Sequence, residues 1–197
     1  TAFLGGPGWL PACADYDGDG LADPAVYQEP PPSIRSGQGG NWKILQSGSG
    51  YAPLQRPAFL GGPGWIPASA DYDGDLRADY AVYQESAGNW QVKLTSAGYG
   101  LLTYNSFLGG PGWALASADF DGDGLADPAV CNRADGTWKV LLSGSGYALL
   151  TLPAFLGGPG WDPVPGDYDG DGLADPAIRR TDGSVWRLKL SGSGYAL

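Results

Sequence analysis

Alternation with a period of two marks the chain wherever a tryptophan opens an apolar run. Trp90, Val92 and Leu94 fall on one side of an extended segment with Gln91 and Lys93 on the other, and Trp186, Leu188 and Leu190 stand opposite Arg187 and Lys189 in the same way. Successive side chains of a strand point to opposite faces, so the pattern predicts half-buried strands and not helices. The apolar runs Ala12-Cys13-Ala14 and Ala25-Val26-Tyr27, on either side of an aspartate loop, predict two more strands, and the stretch after a Gly-Tyr turn supplies a fourth. Helical solenoids fit poorly, because Gly-Gly-Pro-Gly and Ser-Gly-Ser-Gly recur and would break any long helix.

These elements repeat. Phe3-Leu-Gly-Gly-Pro-Gly-Trp9 returns at Phe59, Phe107 and Phe155, followed each time by an aspartate loop, a second Trp (Trp42, Trp90, Trp138, Trp186) and a Gly-Tyr turn ending at Tyr51, Tyr99, Tyr147 or Tyr195. The repeats divide the chain into 1–58, 59–106, 107–154 and 155–197, together one domain. The first is longer by a segment within Glu29–Asn41, which marks an exposed loop around Arg35. Four short strands per repeat predict the blade of a β-propeller, either closed with four blades or part of a larger or assembled propeller. A lone blade cannot cover both of its faces, so the second Trp is expected to pack between neighbouring blades.

Composition adds the chemistry. The net charge is −10, but 16 of the 21 acidic residues are aspartates in the four loops; the other five, Glu29, Glu85, Asp135, Asp162 and Asp182, face 11 Lys and Arg. The acidity therefore belongs to four sites, and nucleic acid or an anionic membrane surface is not the expected partner. No run of about 18 apolar residues predicts membrane insertion. The chain starts at Thr1 without an initiating Met, which reads as a processed chain or a fragment and favours export. Cys13 and Cys131 occupy different positions in their repeats, leaving a disulfide or two separate thiols open.

The loops place carboxylates at positions 1, 3, 5 and 9: Asp15, Asp17, Asp19 and Asp23; Asp71, Asp73, Asp75 and Asp79; Asp119, Asp121, Asp123 and Asp127; Asp167, Asp169, Asp171 and Asp175. With a backbone carbonyl expected from Leu21, Arg77, Leu125 and Leu173 at position 7, each is an all-oxygen cage suited to Ca²⁺, up to four per chain. Converging carboxylates repel, so binding and folding are expected to be coupled. The second loop has Leu76 where the others have Gly20, Gly124 and Gly172, and Tyr80 where they have Pro; its site is expected to be the weakest.

The order Phe, Trp, then Ala-Asp-Tyr-Asp-Gly-Asp-Gly-Leu-Ala-Asp-Pro-Ala-Val-Tyr and Gly-x-Trp resembles the FG-GAP/VCBS repeats of integrin-α-like β-propellers, over essentially the whole chain. The resemblance implies calcium on all sixteen loop aspartates and an extracellular or cell-surface adhesive, lectin or scaffold role. Such propellers usually have more than four blades. The end, Ser-Gly-Ser-Gly-Tyr-Ala-Leu197, nearly runs into the start of the repeat at Thr1, as a ring or a head-to-tail polymer requires. With no His and no nucleophile beside a base, catalysis is not expected. The leading expectation is a calcium-stabilised, non-enzymatic structural or adhesive protein that associates with itself or with an extracellular protein or glycan. The second is a lectin using Tyr27, Tyr83, Tyr104, Asn105 and the insertion around Arg35 as rim groups.

Overall fold

The computed structural model describes residues 4–30 and 39–195. It is all-β. The first sheet runs β1 (Trp9–Pro11), β2 (Ala25–Gln28), β3 (Gly40–Gln46) and β4 (Ala52–Leu60), and the second β5 (Ile66–Pro67), β6 (Tyr80–Gln84), β7 (Asn89–Leu94) and β8 (Gly100–Tyr104). The third holds β9 (Trp113–Leu115), β10 (Ala129–Asn132), β11 (Trp138–Leu142) and β12 (Ala148–Leu152). The fourth, among the described residues, holds β13 (Trp161–Pro163), β14 (Ala177–Arg180) and β15 (Trp186–Leu188). Every sheet is an antiparallel meander of strands in chain order, the blade of a four-blade β-propeller, as the repeat pattern predicts.

Two compact units divide the chain, Thr1–Asn105 with two sheets and Ser106–Leu197 with the other two. The junction lies one residue from the expected repeat boundary. The boundary at 58 does not survive as a structural one, because β4 runs through it from Ala52 to Leu60. The first strand of each blade also lies earlier than expected: Trp9–Pro11 pairs with β2, and in the run Ala12-Cys13-Ala14 the backbone pairing is reduced to a hydrogen bond from the Ala12 amide to the Ala25 carbonyl and one bridge, Ala14↔Asp23. The proline at 11 removes one donor, and the chain must diverge there to enter the aspartate loop.

Register explains the cores. The second Trp always lies opposite the same position of the second strand: Tyr27↔Trp42, Tyr83↔Trp90, Cys131↔Trp138 and Arg179↔Trp186. In the first unit Trp42, Ile44, Tyr27 and Leu60 of the first sheet are buried against Ala78 on the second aspartate loop and Tyr80 and Val82 of β6. In the second unit Trp138, Val140 and Cys131 are buried against Leu156, Ala174 and Ile178. The alternation across β7 holds, with Trp90 and Val92 buried and Lys93 half-buried. It fails at the fourth repeat, where Trp186 lies on an exposed strand although the period-two pattern predicts it inside. A pattern says which side chains share a face, and whether that face is covered depends on what packs upon it.

The lysines of the alternating strands cover either the Phe or the Trp of a Phe-Leu-Gly-Gly-Pro-Gly-Trp segment. Lys43 lies 4.5 Å from the Trp9 ring centroid, Lys93 4.0 Å from Phe59, Lys139 4.7 Å from Trp113 and Lys189 4.8 Å from Phe155. Among the described residues no helix is long and apolar enough to cross a membrane.

Candidate metal centres

Each aspartate loop is pinched at its base by one bridge, Ala14↔Asp23, Ala70↔Asp79, Ala118↔Asp127 or Gly166↔Asp175. The first aspartate folds the loop upon itself. Asp15 accepts the amides of Gly18 at 2.7 Å and Gly20 at 2.8 Å, and Asp71, Asp119 and Asp167 accept the equivalent pair. The residue at position 6 must then adopt a left-handed conformation: Gly20, Gly124 and Gly172 have φ of 85°, 88° and 90°. Leu76 is held at 66°, which confirms the strain its side chain implies at that position.

The ninth residue, Asp23, Asp79, Asp127 or Asp175, is fully buried. It accepts the amide of the second loop residue and reaches across the blade to the turn between the third and fourth strands. Asp127 accepts the Phe120 amide at 2.8 Å, the Ser143 amide at 2.7 Å and the Ser143 hydroxyl at 2.8 Å. Ser47, Thr95 and Ser191 make the same bonds to Asp23, Asp79 and Asp175. Those hydroxyls also lie 2.7–3.1 Å from the fifth loop residue, Asp19, Asp75, Asp123 or Asp171. One hydroxyl proton is thus shared between two carboxylates.

The turn comes so close that, in the blades with glycine there, an added side chain would have to displace a carboxylate. A Cβ at Gly144 would lie 2.9 Å from Asp123 Oδ2, and one at Gly192 would lie 2.8 Å from Asp169 Oδ2. Here the Gly48 and Gly144 amides donate to Asp17 and Asp121 at 3.0 and 3.1 Å. The second blade differs again, because Ser96 occupies this place and donates its hydroxyl to Asp73 at 2.6 Å.

In each blade three carboxylates offer oxygens within 4.8 Å of one another: Asp15, Asp17 and Asp19; Asp71, Asp73 and Asp79; Asp119, Asp121 and Asp127; Asp167, Asp169 and Asp175. Four acidic groups, one per blade, could therefore hold a metal ion. Two charges at such a separation repel by roughly 3–4 kcal/mol at an effective dielectric of about 20, so the gathered oxygens call for a cation. Asp17 Oδ1 and Asp121 Oδ1 are buried without any hydrogen-bond partner, a costly condition that a metal ligand would relieve. Burial pushes the Asp79 carboxyl up to about 6, with the charge of Asp73 acting in the same direction. Burial likewise raises Asp127. At Asp175 the push of burial is outweighed by the amides of Ser191 and Tyr168, and its pKa falls below the usual carboxylate range.

The geometry refines the sequence reading. All sixteen aspartates lie at the loops, but three per blade converge, with Asp23, Asp75, Asp123 and Asp171 outside the close sets. Leu21, Arg77, Leu125 and Leu173 use their amides to donate to the fifth loop aspartate at 2.8–2.9 Å. Tyr27 and Tyr83 are not rim groups; both are fully buried, each with its ring centroid 5.0 Å from its Trp partner. Their position opposite the second Trp places them in the blade core. Tyr104 is exposed on β8 and Asn105 is exposed just beyond it. Arg35 lies outside the described residues. Ser47, Thr95, Ser143 and Ser191 were not among the expected site residues, although the recurrence of Ser-Gly-Ser-Gly in three repeats, with Thr95-Ser-Ala-Gly in the second, in register with the loops is a signal for them. Compared with known proteins, the chain matches no family model and no curated sequence, so its site is read from its own geometry.

Proposed function

We propose that the chain is a calcium-binding structural repeat protein, non-enzymatic and extracellular, whose blades are ordered by the ions they hold and which serves as an adhesive or scaffolding module. The observation that carries this reading is the fourfold recurrence of three carboxylates within 4.8 Å, two of them with an orphaned buried oxygen. All donors are carboxylate oxygens, the set that suits a hard cation with six to eight ligands rather than a softer transition metal. The resemblance of the loops to FG-GAP/VCBS repeats supports the same cation and the extracellular setting. Bound calcium would supply positive charge, taking the net charge from −10 to about −2 at full loading.

The chain's own residues then divide the work. In the first and third blades the position-3 aspartates Asp17 and Asp121 present the free oxygens, while in every blade the position-1 aspartate shapes the loop and the position-9 aspartate fastens it to the neighbouring turn. Calorimetric titration of chelator-treated protein with calcium and with magnesium, alongside thermal unfolding in calcium and in EDTA, tests the proposal. Calcium uptake approaching four ions per chain and a marked fall of Tm in EDTA are expected. A Tm indifferent to EDTA, with no calcium heat, would refute it.

A further inference from the structure

In the first unit one ring fills the space between the two blades. The centroid of Tyr80 lies 5.0 Å from that of Tyr16, 5.3 Å from Trp42, 4.9 Å from Phe59 and 5.9 Å from Tyr99, and all but the first of these contacts are edge-on. Tyr80 is 1% exposed. Leu101 and Leu102, which follow Tyr99 on β8, are exposed, so the place is filled by the Tyr80 side chain and not by the strand after the turn.

The second unit repeats the surrounding rings without the central one. Phe120, Trp138, Phe155 and Tyr195 stand in sequence where Tyr16, Trp42, Phe59 and Tyr99 stand, and Phe155 meets Tyr195 edge-on at 5.9 Å as Phe59 meets Tyr99 at 5.7 Å. Pro176 takes the position of Tyr80, and its short side chain leaves a cavity of about 170 Å³ between Phe120, Trp138, Tyr195 and the proline itself. Val140 and Leu150 complete the wall, and the Asp121 carboxylate also lines it. The wall is more apolar than its counterpart. Phe120 replaces Tyr16, Leu142 replaces Gln46, and Leu152 replaces Arg56, whose guanidinium donates to the Tyr99 hydroxyl at 3.2 Å.

We propose that this cavity binds one small, uncharged aromatic molecule, a benzene ring bare or with a short substituent. The occupant is read from the chain itself, because the equivalent rings of the first unit close around the six-membered ring of Tyr80 at the distances and edge-on angles that aromatic groups favour. Size and lining agree. A cavity of about 150 Å³ walled by Leu, Ile and Phe stays dry and takes up benzene. Drug-sized ligands occupy clefts of roughly 300 Å³ or more, so a single ring is what this one holds. An aromatic acid is excluded, since its charge would be stripped of water and set beside Asp121. Core side chains of the blades build the cavity, so the site is additional to the ion sites and does not rest on the calcium reading.

Fluorine NMR of fluorobenzene with the full chain in calcium tests it. Saturable uptake of one molecule per chain is expected, with benzoate bound at least about tenfold more weakly. Pro176→Tyr supplies the missing ring from within. The backbone accepts a tyrosine at this place, since Tyr80 pairs with Lys93 where the Pro176 carbonyl accepts the Lys189 amide. The variant should keep native near-UV circular dichroism and lose about tenfold or more of the affinity for fluorobenzene. Should it fail to fold, the carbon-13 methyl shifts of Leu150 and Leu152 in the wild-type chain locate the ligand instead. The inference is overturned by the absence of saturable uptake, by undiminished uptake in a natively folded Pro176→Tyr, by benzoate binding as tight as that of fluorobenzene, or by methyl shifts that spare Leu150 and Leu152.

Discussion

Leu76 stores strain that the three equivalent glycines do not, since its side chain is held at a φ of 66° with its surface largely exposed. A left-handed conformation costs a non-glycine residue roughly 1–2 kcal/mol. Leu76→Gly should therefore raise stability by about 1 kcal/mol in calcium and tighten the second site, as urea unfolding and calcium titration would reveal; a loss of stability would show that the exposed leucine makes a contact of greater value. The two thiols differ as clearly. Cys131 is buried and its thiol is pushed up to about 12 by that burial, whereas Cys13 is exposed. Alkylation of the native protein at neutral pH, read by mass spectrometry, should label Cys13 fast and Cys131 only on unfolding. The aspartates were legible in the sequence because their spacing alone brings carboxylates together. Which oxygens remain free was not, since that depends on amides supplied from about 24–31 residues away in the chain, such as those of Ser47 and Gly48.

At the scale of the element, the blade is a four-strand meander whose Asp loop and outer turn are tied to one another. Ser143 donates to Asp127 and Asp123 together, so Ser143→Ala leaves a buried carboxylate short of one partner. The expected cost is about 1–3 kcal/mol, with weakened calcium binding at the third site and little change at the others. Native mass spectrometry at limiting calcium should find one fewer ion in the variant; unchanged stoichiometry and stability would show that the hydroxyl is dispensable. The third strands were readable because alternation, a Trp and flanking glycines coincide there. The first strands were misplaced toward the loop, because Ala12-Cys13-Ala14 is apolar for a different reason: Ala12 is packed beneath the Tyr16 ring, whose hydroxyl donates to the Ala12 carbonyl at 2.6 Å. Apolar character records burial, and burial does not require a ladder partner.

For the molecule as a whole, the repeats concentrate negative charge at four loops and leave the remainder net positive. In EDTA the repulsion within those loops should oppose folding, and monovalent salt should screen part of it. Tm in EDTA is therefore expected to rise with sodium chloride over the range in which Tm in saturating calcium changes little; parallel responses in the two buffers would mean that the loops do not control stability. Fold class followed from periodicity because four copies of one weak pattern reinforce each other. The uncovered Trp186 did not follow, since the sequence at that position is the same as in the repeats whose Trp is buried. The ties between the aspartate loop and the outer turn also separate the two ends of every blade. One rim is committed to the aspartates through the hydroxyls of Ser47, Thr95, Ser143 and Ser191, while the other, where the second strand turns into the third, carries no aspartate loop. It is at this second rim that the first repeat departs in length from its siblings, between β2 and β3 and apart in the chain from the turn that ties the aspartates.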